Sequence, residues 1–182
     1  MVQQNPEAGD IELLRRAAGG DSKAFHALVD RHAQRLFRLA VSLVGNATDA
    51  EDVLQETFIG AFRGLGDFEE RSSVKTWLTR ILITQAAKWR RDRRRRTSVP
   101  VDESLAATPG AGTDVGLDLQ ATLRQLSPEH REILVLREFE RMTYEEIAQA
   151  LEIPQGTVES RLYRARAELR EKLKAYLPSS GD

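Results

Sequence analysis

The stretch Val74 to Arg96, VKTWLTRILITQAAKWRRDRRRR, constrains the fold more than any other. At helical period, Val74, Trp77, Leu78, Ile81, Leu82 and Ala86 recur as an apolar stripe. Thr76, Arg80, Thr84, Lys88, Arg91 and Arg95 form a second stripe that grows more basic along its length. The spacing predicts a helix that packs with one side and offers cations with the other. Its last seven residues hold six arginines and one aspartate. Cations suit the negative end of a helix dipole. Such density still repels itself unless anions stand nearby, and phosphates are the usual anions. An arginine run alone is equally consistent with a solvated basic tail. The packed helix feeding this run favours nucleic acid.

The rest of the composition narrows the class. The chain has 182 residues, enough for one or two domains. No apolar run approaches the ~20 residues of a membrane span, and no signal peptide opens the sequence. Without cysteine there is no disulfide and no thiolate metal site. The expectation is a cytoplasmic protein with no membrane insertion. His26, His32 and His130 lack the spacing of a metal motif, so packing or surface roles are expected, with no metal and no cofactor. Net charge is −1, but it is unevenly spread. Met1 to Glu70 carries seven basic and twelve acidic side chains, and Arg71 to Arg96 ten basic and one acidic. Thr97 to Leu123 carries Asp102, Glu103, Asp114 and Asp118 and no cation. An acidic front, a basic band and an acidic connector point to more than one partner.

In chain order, Asp10 to Ala18 reads as a short helix ended by Gly19-Gly20. Asp21 is placed to cap the next helix, which carries Phe25, Leu28, Val29, His32, Leu36, Leu39, Ala40 and Leu43 inward and stops at Gly45. Thr48 to Glu51 reads as a capping box. The helix after it is expected to bury Leu54, Phe58, Ala61, Phe62 and Leu65, with Asp52, Gln55, Glu56 and Arg63 on the polar side. A capped, solvated face explains that polar side as well as a docking face does. Gly64, Gly66 and Asp67 break the helix, and Asp67 to Ser73 is a loop carrying Phe68. Residues 1–96 thus make one helical domain. Residues 97–118, rich in Pro, Gly, Ser and acids, read as a flexible linker.

Residues 119–177 read as a second helical domain, with 178–182 as a tail. Leu119, Leu123 and Leu126 start it, and Ser127-Pro128-Glu129 begins a helix running through Phe139. Thr143 to Glu146 is a second capping box. It opens a short helix with Ile147, Ala148 and Leu151. A turn at Leu151 to Pro154 leads to a longer helix with Val158, Leu162, Ala165, Leu169, Leu173 and Tyr176 inward. Short helix, tight turn, longer helix is a helix-turn-helix pattern. Gln155, Thr157, Glu159, Ser160, Arg161 and Arg164 are expected outward, and these residue types reach base edges and phosphates. A plain three-helix packing unit is the alternative, and the arginines favour DNA.

These motifs together resemble a bacterial sigma factor of the extracytoplasmic-function class. DAEDVLQETFIGAFRGLGDF is similar to that family's core-binding segment. SSVKTWLTRILITQAAKWRRDRRRR is similar to its promoter-melting and minus-ten segment. LSPEHREILVLREFERMTYEEIAQALEIPQGTVESRLYRARAEL is similar to its minus-thirty-five domain. The resemblance spans about Asp10 to Leu173 in family order. It implies an all-α chain of two small helical domains that binds core RNA polymerase and places it on promoter DNA, with an anti-sigma factor as a further possible partner. It implies core docking at Asp49, Asp52, Gln55 and Glu56. It implies minus-ten contact at Phe68, Trp77, Arg80, Thr84 and Lys88, to which the basic stripe adds Arg91. It implies minus-thirty-five contact at Arg161, Tyr163 and Arg164, to which the outward face adds Thr157 and Ser160. Thr84 stands where the family often has asparagine, and Glu159 where several relatives carry arginine. Both bear on which promoter is read.

Two rivals follow from the same residues. A stand-alone helix-turn-helix repressor leaves the first domain unexplained. A decoy that titrates an anti-sigma factor does not need the basic stripe. No P-loop, nucleophile elbow or metal-ligand spacing supports an enzyme or a small-molecule substrate.

Overall fold

Helix caps set several of the boundaries in the computed structural model, which describes residues 6–96 and 121–174. The expected linker, Leu119, Tyr176 and the tail lie outside the described residues. Among the described residues the regular structure is helical, and the helices fall into two units.

The first unit holds α1 (Pro6–Ala18), α2 (Ser22–Val44), α3 (Ala47–Arg63) and α4 (Val74–Arg96). Asp21 accepts from the backbone N–H groups of Lys23 and Ala24 and starts α2, and Gly45 ends it at φ 95°. That left-handed conformation suits glycine, which has no Cβ to clash. The cap of α3 is Asn46, whose side chain accepts from Asp49 N–H. The capping box expected at Thr48 is therefore displaced: Thr48 already lies within the helix. Ser73 starts α4 by accepting from Thr76 N–H at 3.1 Å.

Leu28, Leu36, Leu39 and Leu43 of α2 meet Leu14 of α1, Val53 and Ala61 of α3, and Val74, Leu78, Leu82 and Ala86 of α4 in one core. Each fully buried leucine contributes roughly 1.5–3 kcal/mol relative to exposure. The buried face of α3 is Ala50, Val53, Thr57 and Ala61. It is not the expected stripe of Leu54, Phe58 and Phe62, which are half-buried, half-buried and 57% exposed. Small residues win because α3 must approach its neighbours closely. A Cβ on Gly60 would stand 3.2 Å from Ile81 Cγ2 of α4. Thr76, expected on the polar stripe, is buried and shares a hydrogen bond with Ser73.

His32 is buried on α2 with its Nε2 2.8 Å from an Asp10 carboxylate oxygen, and Asp10 also pairs with Arg31. Burial holds the His32 pKa below its ordinary 6.5, against the pull of Asp10. Folding thus favours the neutral ring. The stability this gives is full above the unfolded value and is lost as pH falls through the folded one. The first unit should therefore melt at lower temperature as pH drops from about 7 to 5. Both tryptophans lie in α4, so fluorescence melts report this unit. His32→Gln should flatten the pH dependence, and an equal slope in both proteins would refute the role.

The second unit begins, among the described residues, with a helical turn at 121–124. Next come α5 (Pro128–Leu134), a π turn (Val135–Phe139), α6 (Tyr144–Leu151) and α7 (Gln155–Lys174). Ser127 caps α5 and Thr143 with Glu146 forms a full capping box on α6. The wide turn at Val135 to Phe139 replaces the regular helix expected there. It keeps Val135 and Leu136 buried and leaves Phe139 half exposed. Arg131 is buried and donates to the carbonyls of Leu123, Arg124 and Leu126, satisfying the end of the preceding helix. Ile133, Leu134, Leu136, Met142, Ile147, Val158, Leu162 and Ala165 form the core. Ala150 is buried in α6, whereas Ala148 and Leu151 are half-buried.

Candidate nucleic-acid and protein interfaces

The outer face of α4 is a continuous polar row. Arg80, Thr84, Lys88, Arg91 and Arg95 are all exposed. At 3.6 residues per turn they lie within an arc of about 80° and span roughly 22 Å. That length matches about six phosphates of one strand at 3.4 Å each. The Thr84 hydroxyl donates to Arg80 C=O at 3.0 Å. Its remaining outward character is an acceptor lone pair and a methyl.

Trp77 does not join this row. It is half-buried near the start of α4 and packs on Phe68, with ring centroids 5.1 Å apart. The pair borders the loop between α3 and α4, which a short 3-10 turn at Leu65–Asp67 begins. Glu70 in that loop has φ 55°. Its two carboxylate oxygens accept from Arg15 of α1 at 2.7 and 2.8 Å. That hydrogen bond lowers the Glu70 pKa and raises that of Arg15. The loop beside Phe68 is thereby tied to α1 by a bidentate contact across 55 positions, which the sequence does not announce.

On α3, Asp52, Gln55 and Glu56 are exposed and share one face. Asp52 and Glu56 stand four residues apart, a like-charge pairing that costs an isolated helix a few tenths of a kcal/mol. Asp49, expected with them, is placed differently. Its carboxylate accepts from Arg93 at 2.9 Å and from Asn46, and it is half-buried. Arg93 also lies over the Trp89 ring, 5.1 Å from its centroid. Asp49 thus ties the start of α3 to the end of α4. Phe62, expected in the core, opens to solvent seven residues after Gln55 and so on the same face. It meets Phe25 edge-on at 5.1 Å.

On α7, Ser160, Tyr163 and Arg164 are exposed, Tyr163 at 72%. Thr157 is half-buried. Arg161 departs from the expectation that it shares a groove-facing side with Arg164. Its side chain is only 19% exposed and turns toward Glu129 of α5, at 3.5 Å. Three residues rotate a helix by about 300°, so Arg161 falls at the edge of the outward face. Arg166 pairs with Glu138 at 2.8 Å and is likewise engaged. Among the described residues no group of His, Asp and Glu suits a metal ion, and no helix is long and apolar enough to cross a membrane.

The family description Sigma-70 region 2 matches residues 28–96, and Sigma-70, region 4 matches residues 116–169. The RNA polymerase sigma-H factor of Pseudomonas aeruginosa is 35% identical over 187 residues, covering 92% of this chain and 95% of its own. The chain belongs to the sigma-70 family. An extracytoplasmic-function sigma-E factor of Haemophilus influenzae, 32% identical over 90% of this chain and 95% of its own, is a relative within the extracytoplasmic-function class. Two solved structures share the fold. CnrH, in complex with the cytosolic domain of CnrY, has a TM-score of 0.72 at 32% identity and covers 92% of this chain and 98% of its own. RpoE of Bartonella quintana, in complex with the anti-sigma factor NepR, has a TM-score of 0.72 at 29% identity, covering 84% and 98%. As an extracytoplasmic-function sigma factor, the chain serves RNA polymerase in promoter-specific transcription initiation.

Proposed function

We propose that the two units divide this work by named surfaces. Asp52, Gln55 and Glu56 on α3 dock on core polymerase. Phe62 extends that face with the kind of aromatic enriched at interfaces, while Asp49 ties the start of α3 to the end of α4. Arg80, Thr84, Lys88 and Arg91 on α4 follow the opened minus-ten strand, with Phe68 and Trp77 at the loop where an unstacked base is captured. Thr157, Ser160, Tyr163 and Arg164 on α7 meet the minus-thirty-five element, and Arg161 supports that helix from its edge. The observation that carries the reading is one helical unit bearing an exposed acidic face on α3 and an exposed basic row on α4. A repressor needs neither face, and a decoy needs no basic row. The chain performs no reaction of its own and works in the cytoplasm, where polymerase and promoter meet. An anti-sigma factor is a further partner on this reading, since the Bartonella relative was solved in complex with the anti-sigma factor NepR.

In vitro transcription with core enzyme and mapping of start sites tests the reading. The acidic front of the chain repels free duplex, so the isolated protein should bind promoters weakly and core enzyme should reveal the specificity. Tight, sequence-specific binding by the chain alone at physiological salt would support the repressor instead.

Thr84 gives a sharper expectation. Its hydroxyl proton is spent on Arg80 C=O. An asparagine there offers a donor amide and an acceptor carbonyl on one plane. Thr84→Asn should change base preference at one minus-ten position and leave upstream preference alone. The measurement is transcription from a library randomised at the minus-ten element, and identical profiles would return Thr84 to a solvated helix position.

A further inference from the structure

Three acidic side chains interrupt the basic helix α7, and two of them are accounted for. Glu168 bonds His130, and Glu171 pairs with Lys174 at 2.8 Å. The third, Glu159, is exposed and has no ion pair or side-chain hydrogen bond among the described residues. The usual reasons for a surface glutamate are missing. Its neighbours three and four residues away are Gln155, Gly156, Leu162 and Tyr163, none of them a cation. It is the fifth residue of α7, beyond the first turn where the helix dipole favours an acid. Its position lies on the outward face between Gln155 and Tyr163, close to Ser160. A carboxylate on a surface that approaches phosphates is repelled by them. It gains only where the groove offers a donor.

We propose that Glu159 is a specificity-determining residue, whose carboxylate accepts a hydrogen bond from the exocyclic amino group of a cytosine in the upstream promoter element. The proposal rests on the reading of α7 as the minus-thirty-five helix. Among the four bases, cytosine presents a major-groove donor with no acceptor beside it on the same base. Guanine presents two acceptors, thymine one, and adenine sets an acceptor next to its donor. Glu159 therefore selects by penalty. It costs affinity on every base pair and recovers that cost on one. The first residues of a recognition helix are also those that reach base edges, and Glu159 lies within the first two turns.

The test uses holoenzyme assembled with core polymerase and a promoter library randomised across the upstream element, comparing wild type, Glu159→Ala and Glu159→Arg. Wild type should prefer cytosine at one position by roughly five- to a hundredfold. Glu159→Ala should lose that preference alone and bind the disfavoured promoters more tightly than wild type. A misfolded variant cannot produce such a gain. Glu159→Arg should move the preference to guanine at or beside that position. If wild type shows upstream preferences that both variants keep unchanged, the Glu159 proposal is overturned while the α7 reading stands. If wild type shows no upstream preference at all, the α7 reading falls and the proposal with it.

Discussion

Reversing charge at Asp52 and Glu56 together, as Asp52→Lys with Glu56→Lys, should lower affinity for core polymerase by roughly a hundredfold, since like charges juxtaposed at an interface cost several kcal/mol. Transcription from every promoter should fall with it. Both residues are exposed on α3, away from its buried face of Ala50, Val53, Thr57 and Ala61. The fold should therefore survive, and tryptophan fluorescence melts should match wild type. Asp49 is left out because its carboxylate holds Arg93 and Asn46. Asp49→Asn is the useful contrast: it should loosen the join between α3 and α4 and change the melt more than the core affinity. Titration of labelled protein with core enzyme measures both. Unchanged affinity in the double reversal removes the docking assignment from this face.

The contrast between Asp49 and Asp52 also shows where sequence reasoning ends. Cap chemistry is local, so Asp21, Gly45, Ser127 and the Thr143–Glu146 box were readable from a few neighbouring residues. The basic row of α4 was readable because one helical period orders it. The face of α3 was not. Leu54, Phe58 and Phe62 recur at helical spacing as faithfully as Ala50, Val53, Thr57 and Ala61 do. The larger side chains suggested the stripe that the structure leaves partly in water. What decides between them is how closely neighbouring helices approach, and Gly60 against Ile81 is the record of that approach. The same limit hides the Arg15–Glu70 and Asp49–Arg93 pairs, which join residues 55 and 44 positions apart. The sequence offers Asp49, Asp52 and Glu56 as candidate docking carboxylates and does not tell which of them a distant arginine has already taken.

Arg164→Ala should weaken promoter binding by holoenzyme by about 1–3 kcal/mol if the guanidinium makes a bidentate contact to guanine. Arg164 is exposed on α7, one turn after Ser160, to whose carbonyl its Nε donates at 3.2 Å. That bond engages Nε alone, and neither terminal nitrogen has a partner among the described residues. Arg161 is the internal comparison, since its side chain is largely covered and leans toward Glu129. Arg161→Ala should cost less in DNA affinity than Arg164→Ala. The salt dependence then separates two kinds of contact. Loss confined to promoters with an intact upstream element marks base reading. An equal loss on all sequences, with the salt slope reduced by about one, marks a phosphate contact. The measurement is holoenzyme binding to matched and scrambled upstream elements across a salt series, with wild type and both variants in parallel. Wild-type affinity and transcription in Arg164→Ala would take α7's exposed face off the DNA altogether, and the promoter would then have to be read by the α4 row alone.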